Sequence, residues 1–139
     1  MSADDCLFCG IVAGSIPSET VDSDERTLAF MDINPATRGH ALVVPRRHSV
    51  DLLDVEPDDL TATTLAAQRL AKRMSEVLDL DGVNLLNACG AAAWQSVFHF
   101  HIHVVPRYED DPLELPWVPK GGDSEEIARV AARLRGRDG

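Results

Sequence analysis

A chain of 139 residues fits one domain with its own core, and 45% apolar content argues against disorder. Thirteen lysines and arginines against 23 acidic residues give a net charge of −10, the wrong sign for binding DNA, RNA or an anionic membrane. Three cysteines and no charged-then-apolar leader argue against a disulfide scaffold, and no apolar run approaches a membrane span, so the expectation is a cytoplasmic protein. A small phosphate ligand stays compatible with the acidic surface, because a few sheltered N–H donors outweigh distant charge.

Residues 1–5 read as a frayed start, with Asp5 placed to cap a short helix from about Cys6 to Ala13 that Gly14 ends. Cys6 and Cys9 form a C-x-x-C, a metal-ligand spacing that is two ligands short of a closed zinc site. Ser15-Ile16-Pro17-Ser18 is a break. Thr20-Val21 and Thr27 to Met31 are strand-like, joined by an acidic turn from Asp22 to Glu25. Asp32-Ile33-Asn34-Pro35 leaves the second strand as a turn, since the residue before proline disfavours helix. Gly39 to Pro45 is a compact apolar strand of the kind found at the centre of a sheet.

A long helix starts near Pro57, a residue suited to a first helical position, with Asp58 and Asp59 in its first turn. Leu60, Ala67, Leu70, Met74, Val77 and Leu78 make its apolar face, and Arg69, Lys72 and Arg73 lie off it. Asp81-Gly82 ends this unit, and Val83 to Cys89 is another strand, with Cys89 read as a small buried hydrophobe. Arg46, Arg47, Arg107 and Lys120 read as solvated surface charge. After Pro106 comes a loop with Pro112, Pro116 and Pro119. Asp123 or Ser124 caps a last helix, with Glu126 at capping-box distance and Ile127, Val130, Ala131 and Leu134 as its packing stripe. Strands outnumber helices, which favours an α+β domain with an antiparallel sheet. One domain is expected over 1–139, with a core of about 6–107 and a C-terminal extension of about 108–139.

The most informative stretch follows the small-residue loop Gly90 to Trp94. From Gln95 to Val105 three of the five histidines, His99, His101 and His103, alternate with apolar residues. A period of two places all three on one face of a strand, roughly 6–7 Å apart at about 3.3 Å of rise per residue. The expectation is one side in the core and a row of imidazoles on the other. A neutral imidazole has one free lone pair and is a competent nucleophile towards phosphorus. His101, central in the row, is best placed to attack. His103 and His40 are natural flanking donors for charge building on the phosphoryl oxygens, and Asn87 and Ser96 add neutral donors. Such donors make a Mg²⁺ requirement unnecessary.

His99-Phe100-His101-Ile102-His103-Val104-Val105 is similar to the histidine-triad pattern of three alternating histidines with apolar residues between and after them. The chain resembles the histidine triad (HIT) superfamily, in its Hint-like nucleotide-binding branch. Cys6 to Val12 with Ile16-Pro17, Leu28 to Pro35, and Gly39 to His48 resemble other blocks of that branch, so the likeness covers nearly all of 6–107. It implies the HIT-like fold, an antiparallel sheet of about five strands with one long helix and short N- and C-terminal helices, assembled as a homodimer joined edge to edge. It also implies hydrolysis of nucleoside 5′-phosphoramidates, such as AMP linked to an amine, through a nucleotidyl-histidine intermediate. Alternatives are a dinucleoside polyphosphate hydrolase and a nucleotide-binding module with vestigial catalysis.

Residue by residue, the resemblance makes His101 the nucleophile and Ser96, in Gln95-Ser96-Val97, the aid to a departing amine. Asn87, His40 and His103 match phosphate-pocket positions, Asp32 the carboxylate on the ribose, and Phe30, Ile33 and Val97 the apolar slot for the base. Each also has a plain structural reading, Asp32 as a turn cap among them. Cys6, Cys9, His48 and His99 match the four ligands of a structural Zn²⁺ in the zinc-containing bacterial type. A reduced C-x-x-C packed without metal is the alternative there. One departure is Gly90-Ala91-Ala92-Ala93-Trp94, where the family carries a more glycine-rich loop.

Overall fold

The computed structural model describes residues 5–136, so the frayed start expected before Asp5 lies outside the described residues. Helix α1 (Leu7–Ala13) is followed by strands β1 (Thr20–Ser23), β2 (Thr27–Met31) and β3 (Ala41–Pro45), then the long helix α2 (Pro57–Val77). Strands β4 (Gly82–Leu86) and β5 (Ile102–Arg107) complete one five-stranded sheet, and α3 (Ser124–Leu134) follows. The sheet order is β1-β2-β3-β5-β4, every neighbour antiparallel, so β3 is central as its unbroken apolar run implies. Among the described residues no helix is long and apolar enough to cross a membrane.

Alternation within the strands builds two cores, one on each face of the sheet. Ala29, Ala41, Val43, Ile102 and Val104 face α2 and meet Ala66, Ala67, Leu70 and Met74. Leu28, Phe30, Leu42 and Val44 face the other way and meet Cys6 and Phe8 at α1. Phe100 packs with the α2 core, so the histidines on either side of it turn towards α1. That face is not open. His99 is fully buried and His101 is 5% exposed, which corrects the expectation that only the other side of this segment lies in the core.

The histidine segment is also less strand than its pattern promises. Ladder pairing starts only at Ile102, with Leu42 and Leu86 flanking His103 in register. Before that, the Phe100 N–H donates to the Ser49 carbonyl and the Asn87 side chain to the His101 carbonyl, so these backbone groups have partners outside the sheet. The strand beginning at Val83 stops at Leu86, short of Cys89, which is half-buried.

Other details depart from expectation for local reasons. Cys6, not Asp5, caps α1, its Sγ accepting the Cys9 N–H at 3.3 Å, and Gly14 ends the helix at φ 82°. In α2, Val77 is 58% exposed while Asp59 is buried, held by Arg47 at 2.8 Å and Arg26 at 3.4 Å. Arg47 and Arg107 are thus structural, the latter paired with Asp111 at 2.8 Å. Asp123 caps α3, but Glu126 pairs with Arg129 instead of closing a capping box. Ile127 and Leu134 of α3 are exposed, so this helix is not packing material for its own chain.

Candidate active site and metal cluster

The histidine row feeds two adjacent clusters. At one end stand Cys6 Sγ, Cys9 Sγ, His48 Nδ1 and His99 Nδ1, all within 4.8 Å of one another. The separations are 3.4 Å from Cys6 to His99, 3.3 Å from Cys9 to His48, 3.4 Å from Cys9 to His99 and 3.3 Å from His48 to His99. In a tetrahedron of zinc–sulfur bonds near 2.3 Å and zinc–nitrogen bonds near 2.0–2.1 Å, neighbouring ligand atoms stand about 3.3–3.8 Å apart. The four separations just given match such edges.

Its protons agree. His99 Nε2 is 2.8 Å from the Pro45 carbonyl, which can only accept, so that nitrogen carries the hydrogen and Nδ1 turns a lone pair inward. Burial pushes the His99 pKa down to about 4, so the ring is neutral at pH 7. Burial first, then the adjacent Cys6, pushes the Cys9 thiol up to about 11 in the absence of a cation; a metal ion would reverse that. Two cysteine sulfurs and two imidazole nitrogens fit a zinc-like ion, which would tie α1 to the sheet.

His101 comes next in the row. Its Nδ1 lies 2.7 Å from the His99 carbonyl, so Nδ1 carries the hydrogen and Nε2 the lone pair. His99 therefore serves both places, its ring in the cluster and its carbonyl behind His101. The Phe8 ring, two residues after Cys6, stands edge-on to His101 with centroids 5.0 Å apart at 88°. Asn87 Nδ2 donates to the His101 carbonyl at 2.9 Å. Burial holds the His101 pKa below its ordinary 6.5, against the smaller upward pull of the His99 carbonyl and Asp32. The His101 residue keeps 5% of its surface exposed.

The third group is Asp32, His40 and His103, again with ligand-type atoms within 4.8 Å. Here the protons run differently. The Ala36 N–H donates to His40 Nδ1 at 2.9 Å, so His40 must carry its hydrogen on Nε2. That nitrogen lies 2.9 Å from His103 Nδ1 and 3.5 Å from Asp32 Oδ2. His103 thus accepts at Nδ1 and offers Nε2–H, and its ring lies 4.9 Å from that of His101. Burial, then His101 and His40, pushes the His103 pKa down to about 4, and burial also lowers that of His40. A free lone pair thus stands beside a fixed N–H. Gly39, next to His40, sits at φ 95°, and a Cβ there would come 2.7 Å from the Leu78 side chain.

The remaining expected residues divide. Asp32 Oδ1 accepts the Asn34 N–H at 2.8 Å, capping its turn and leaving Oδ2 turned to His40. Phe30 is buried core against Phe8, Val97 is partly buried on that core, and Ile33 is 89% exposed. Ser96 is exposed. Gln95 is buried and builds the loop: Oε1 accepts the Gly90 N–H at 2.7 Å, and Nε2 donates to the Val50 and Val97 carbonyls. Sequence reasoning missed Phe8 and the orienting groups at Ala36 and Pro45. Phe8 carried a signal, as the aromatic residue inside the C-x-x-C. The two backbone groups carried none.

Comparison with known proteins adds the following. A model of the HIT domain matches residues 13–110. A crystal structure of a HIT family member from Bacillus subtilis is 33% identical, with a TM-score of 0.88 over 97% of this chain and 98% of that one. A Zn-bound histidine triad family protein from Mycobacterium smegmatis is 40% identical, with a TM-score of 0.77 over 97% and 99%. A histidine triad nucleotide-binding protein from Candida albicans is 27% identical, with a TM-score of 0.84 over 95% and 96%.

Proposed function

Because this chain belongs to the HIT domain family, we propose that it is a nucleotide-binding hydrolase that cleaves nucleoside 5′-phosphoramidates of the AMP–amine type. The observation that carries this reading is the 2.7 Å contact from His101 Nδ1 to the His99 carbonyl, which leaves Nε2 as a lone pair beside the His103 N–H.

In the first step His101 Nε2 attacks phosphorus. The bond from phosphorus to the amine breaks, and the amine leaves with a proton taken from solvent and relayed through the Ser96 hydroxyl. In the second step water attacks the nucleotidyl-imidazole and gives up a proton to solvent, the phosphorus–Nε2 bond breaks, and AMP departs with His101 neutral again. The His103 Nε2–H and a remaining Asn87 N–H stabilise charge on the phosphoryl oxygens. Asp32 Oδ2 accepts from the ribose hydroxyls, and apolar groups at Ile33 and Val97 border the base. His40 acts one place back, by presenting His103 in the right tautomer. No step asks for Mg²⁺.

Cys6, Cys9, His48 and His99 hold a structural Zn²⁺ in this reading, a role supported by the tetrahedral edges and by the Zn-bound mycobacterial relative. The protein acts in the cytoplasm as a homodimer. The edge position of β4 and its exposed Leu85 and Leu86 support that assembly, and a monomer in sedimentation at micromolar concentration would refute it.

The test of the activity is turnover of a fluorogenic adenosine phosphoramidate, beside a diadenosine polyphosphate, by the native protein, His101→Ala and His101→Asn. Phosphoramidate cleavage should drop by about 10⁴-fold or more in both variants while AMP binding persists. Unchanged cleavage would remove His101 as nucleophile, and faster turnover of the polyphosphate would reassign the substrate class.

A further inference from the structure

We propose that Trp94 is the specificity-determining residue for the leaving group, and that it selects amines bearing a flat aromatic ring. The inference rests on the phosphoramidase reading above.

Trp94 sits at φ 79° and ψ 15°, in the left-handed region, and is the one non-glycine residue there among the described residues. The other positive-φ positions, Gly14, Gly39, Gly90 and Gly136, carry no Cβ. A side chain with a Cβ is strained in this conformation, and a large aromatic one is rare in it. Strain of this kind persists only where the surroundings impose it and is concentrated at functional positions.

Here the loop imposes it. The Trp94 N–H donates to the Ala91 carbonyl at 3.0 Å and the Gln95 N–H to the Gly90 carbonyl at 3.1 Å. The buried Gln95 amide then locks the loop to Gly90, Val50 and Val97. Folding gains little from the indole in return. Trp94 is 66% exposed, and Ala91, Ala92 and Ala93 beside it are exposed as well, so it does not pack beneath the loop. Neither backbone preference nor core packing accounts for tryptophan at this position.

A ligand does account for it. The loop is a rigid mount, and Trp94 stands two residues before Ser96, which is exposed and aids the departing amine. The ribose and base contacts come from a different segment, at Asp32 and Ile33. The indole therefore belongs with the part of the substrate that leaves. A flat aromatic group stacks on it, whereas an aliphatic group of equal size lacks the π-face.

The test compares two adenosine phosphoramidates that differ only in the amine, phenylethylamine or cyclohexylethylamine, with native protein, Trp94→Gly and Trp94→Phe. Glycine suits this backbone, so the first variant keeps the fold. Native protein should favour the aromatic amine by about three- to tenfold in kcat/KM, with the preference lost in Trp94→Gly and largely kept in Trp94→Phe. Equal preference in native protein and Trp94→Gly would overturn the assignment.

A second readout needs no turnover. The chain has two tryptophans, so a Trp117→Phe, His101→Ala protein reports on Trp94 alone. The aromatic ligand should quench its fluorescence and the cyclohexyl ligand should not. Binding of both without quenching overturns the Trp94 role and spares the phosphoramidase reading. Failure of both to bind overturns the two together.

Discussion

The Cys6–Cys9–His48–His99 cluster and the Asp32–His40–His103 cluster are both groups of potential ligand atoms within 4.8 Å, yet they are suited to opposite tasks. The difference lies behind the rings. His99 backs onto a carbonyl, that of Pro45, so its hydrogen faces outward and its lone pair faces the thiols. His40 backs onto an amide, that of Ala36, so its lone pair is already occupied and its hydrogen faces His103. A neutral imidazole has one of each. One backbone group therefore decides whether the other side of the ring binds a cation or donates to an anion. Ligand types and spacing alone would have marked both clusters as metal sites.

Breaking the first cluster should have the largest effect on stability. Purified without chelator, the native protein should carry about one zinc per chain. Cys6→Ser should carry none and melt about 10 °C lower. If Cys6→Ser retained stoichiometric zinc, or the native protein had none, the contrast between the clusters would be lost.

Disturbing the second cluster should leave zinc in place and act on turnover. His40→Ala frees His103 to take the other tautomer and should lower kcat by about tenfold to a hundredfold, the usual scale for a partner that orients an imidazole. His40→Gln, which can still donate towards His103, should recover part of the loss. A variant that raised KM alone would show instead that His40 touches the substrate.

The smallest effect is on pH dependence. Burial pushes the His103 pKa down to about 4, and those of His40 and His101 below 6.5. Between about 4 and 6.5 the unfolded chain binds protons that the folded chain refuses, so stability falls as pH drops through that window and is complete above it. Melting followed from pH 7.5 to pH 4.5 should show a decline of a few degrees attributable to these rings, reduced in His103→Asn. Activity should fall in the same direction, as protonation removes the His101 lone pair. A melting temperature flat across this range would count against buried neutral histidines.

Much of this was legible before any coordinates, because the signals are local. Pro57 at a helix start, Gly14 at a helix end and the unbroken apolar run of β3 each reflect a preference of a few adjacent residues. Where reading failed, the missing information was distant. The buried Asp59 carboxylate is held by Arg47, 12 residues away, and by Arg26, 33 residues away. The apolar stripe of α3 has the right spacing, but spacing does not say whether a surface exists to receive it.

By itself the sequence determined the alternating histidines, the C-x-x-C, the order of strands and helices, and the family pattern. All of these are set by identity and short-range spacing along the chain. The family pattern already grouped His99 with Cys6 and His103 with His40, but only the tertiary structure brought the atoms into contact, 3.4 Å apart across 93 residues and 2.9 Å apart across 63. It likewise decided which nitrogen of each ring holds the hydrogen. That choice depends on a partner brought in by folding, a carbonyl or an amide, and backbone groups are the same in every sequence.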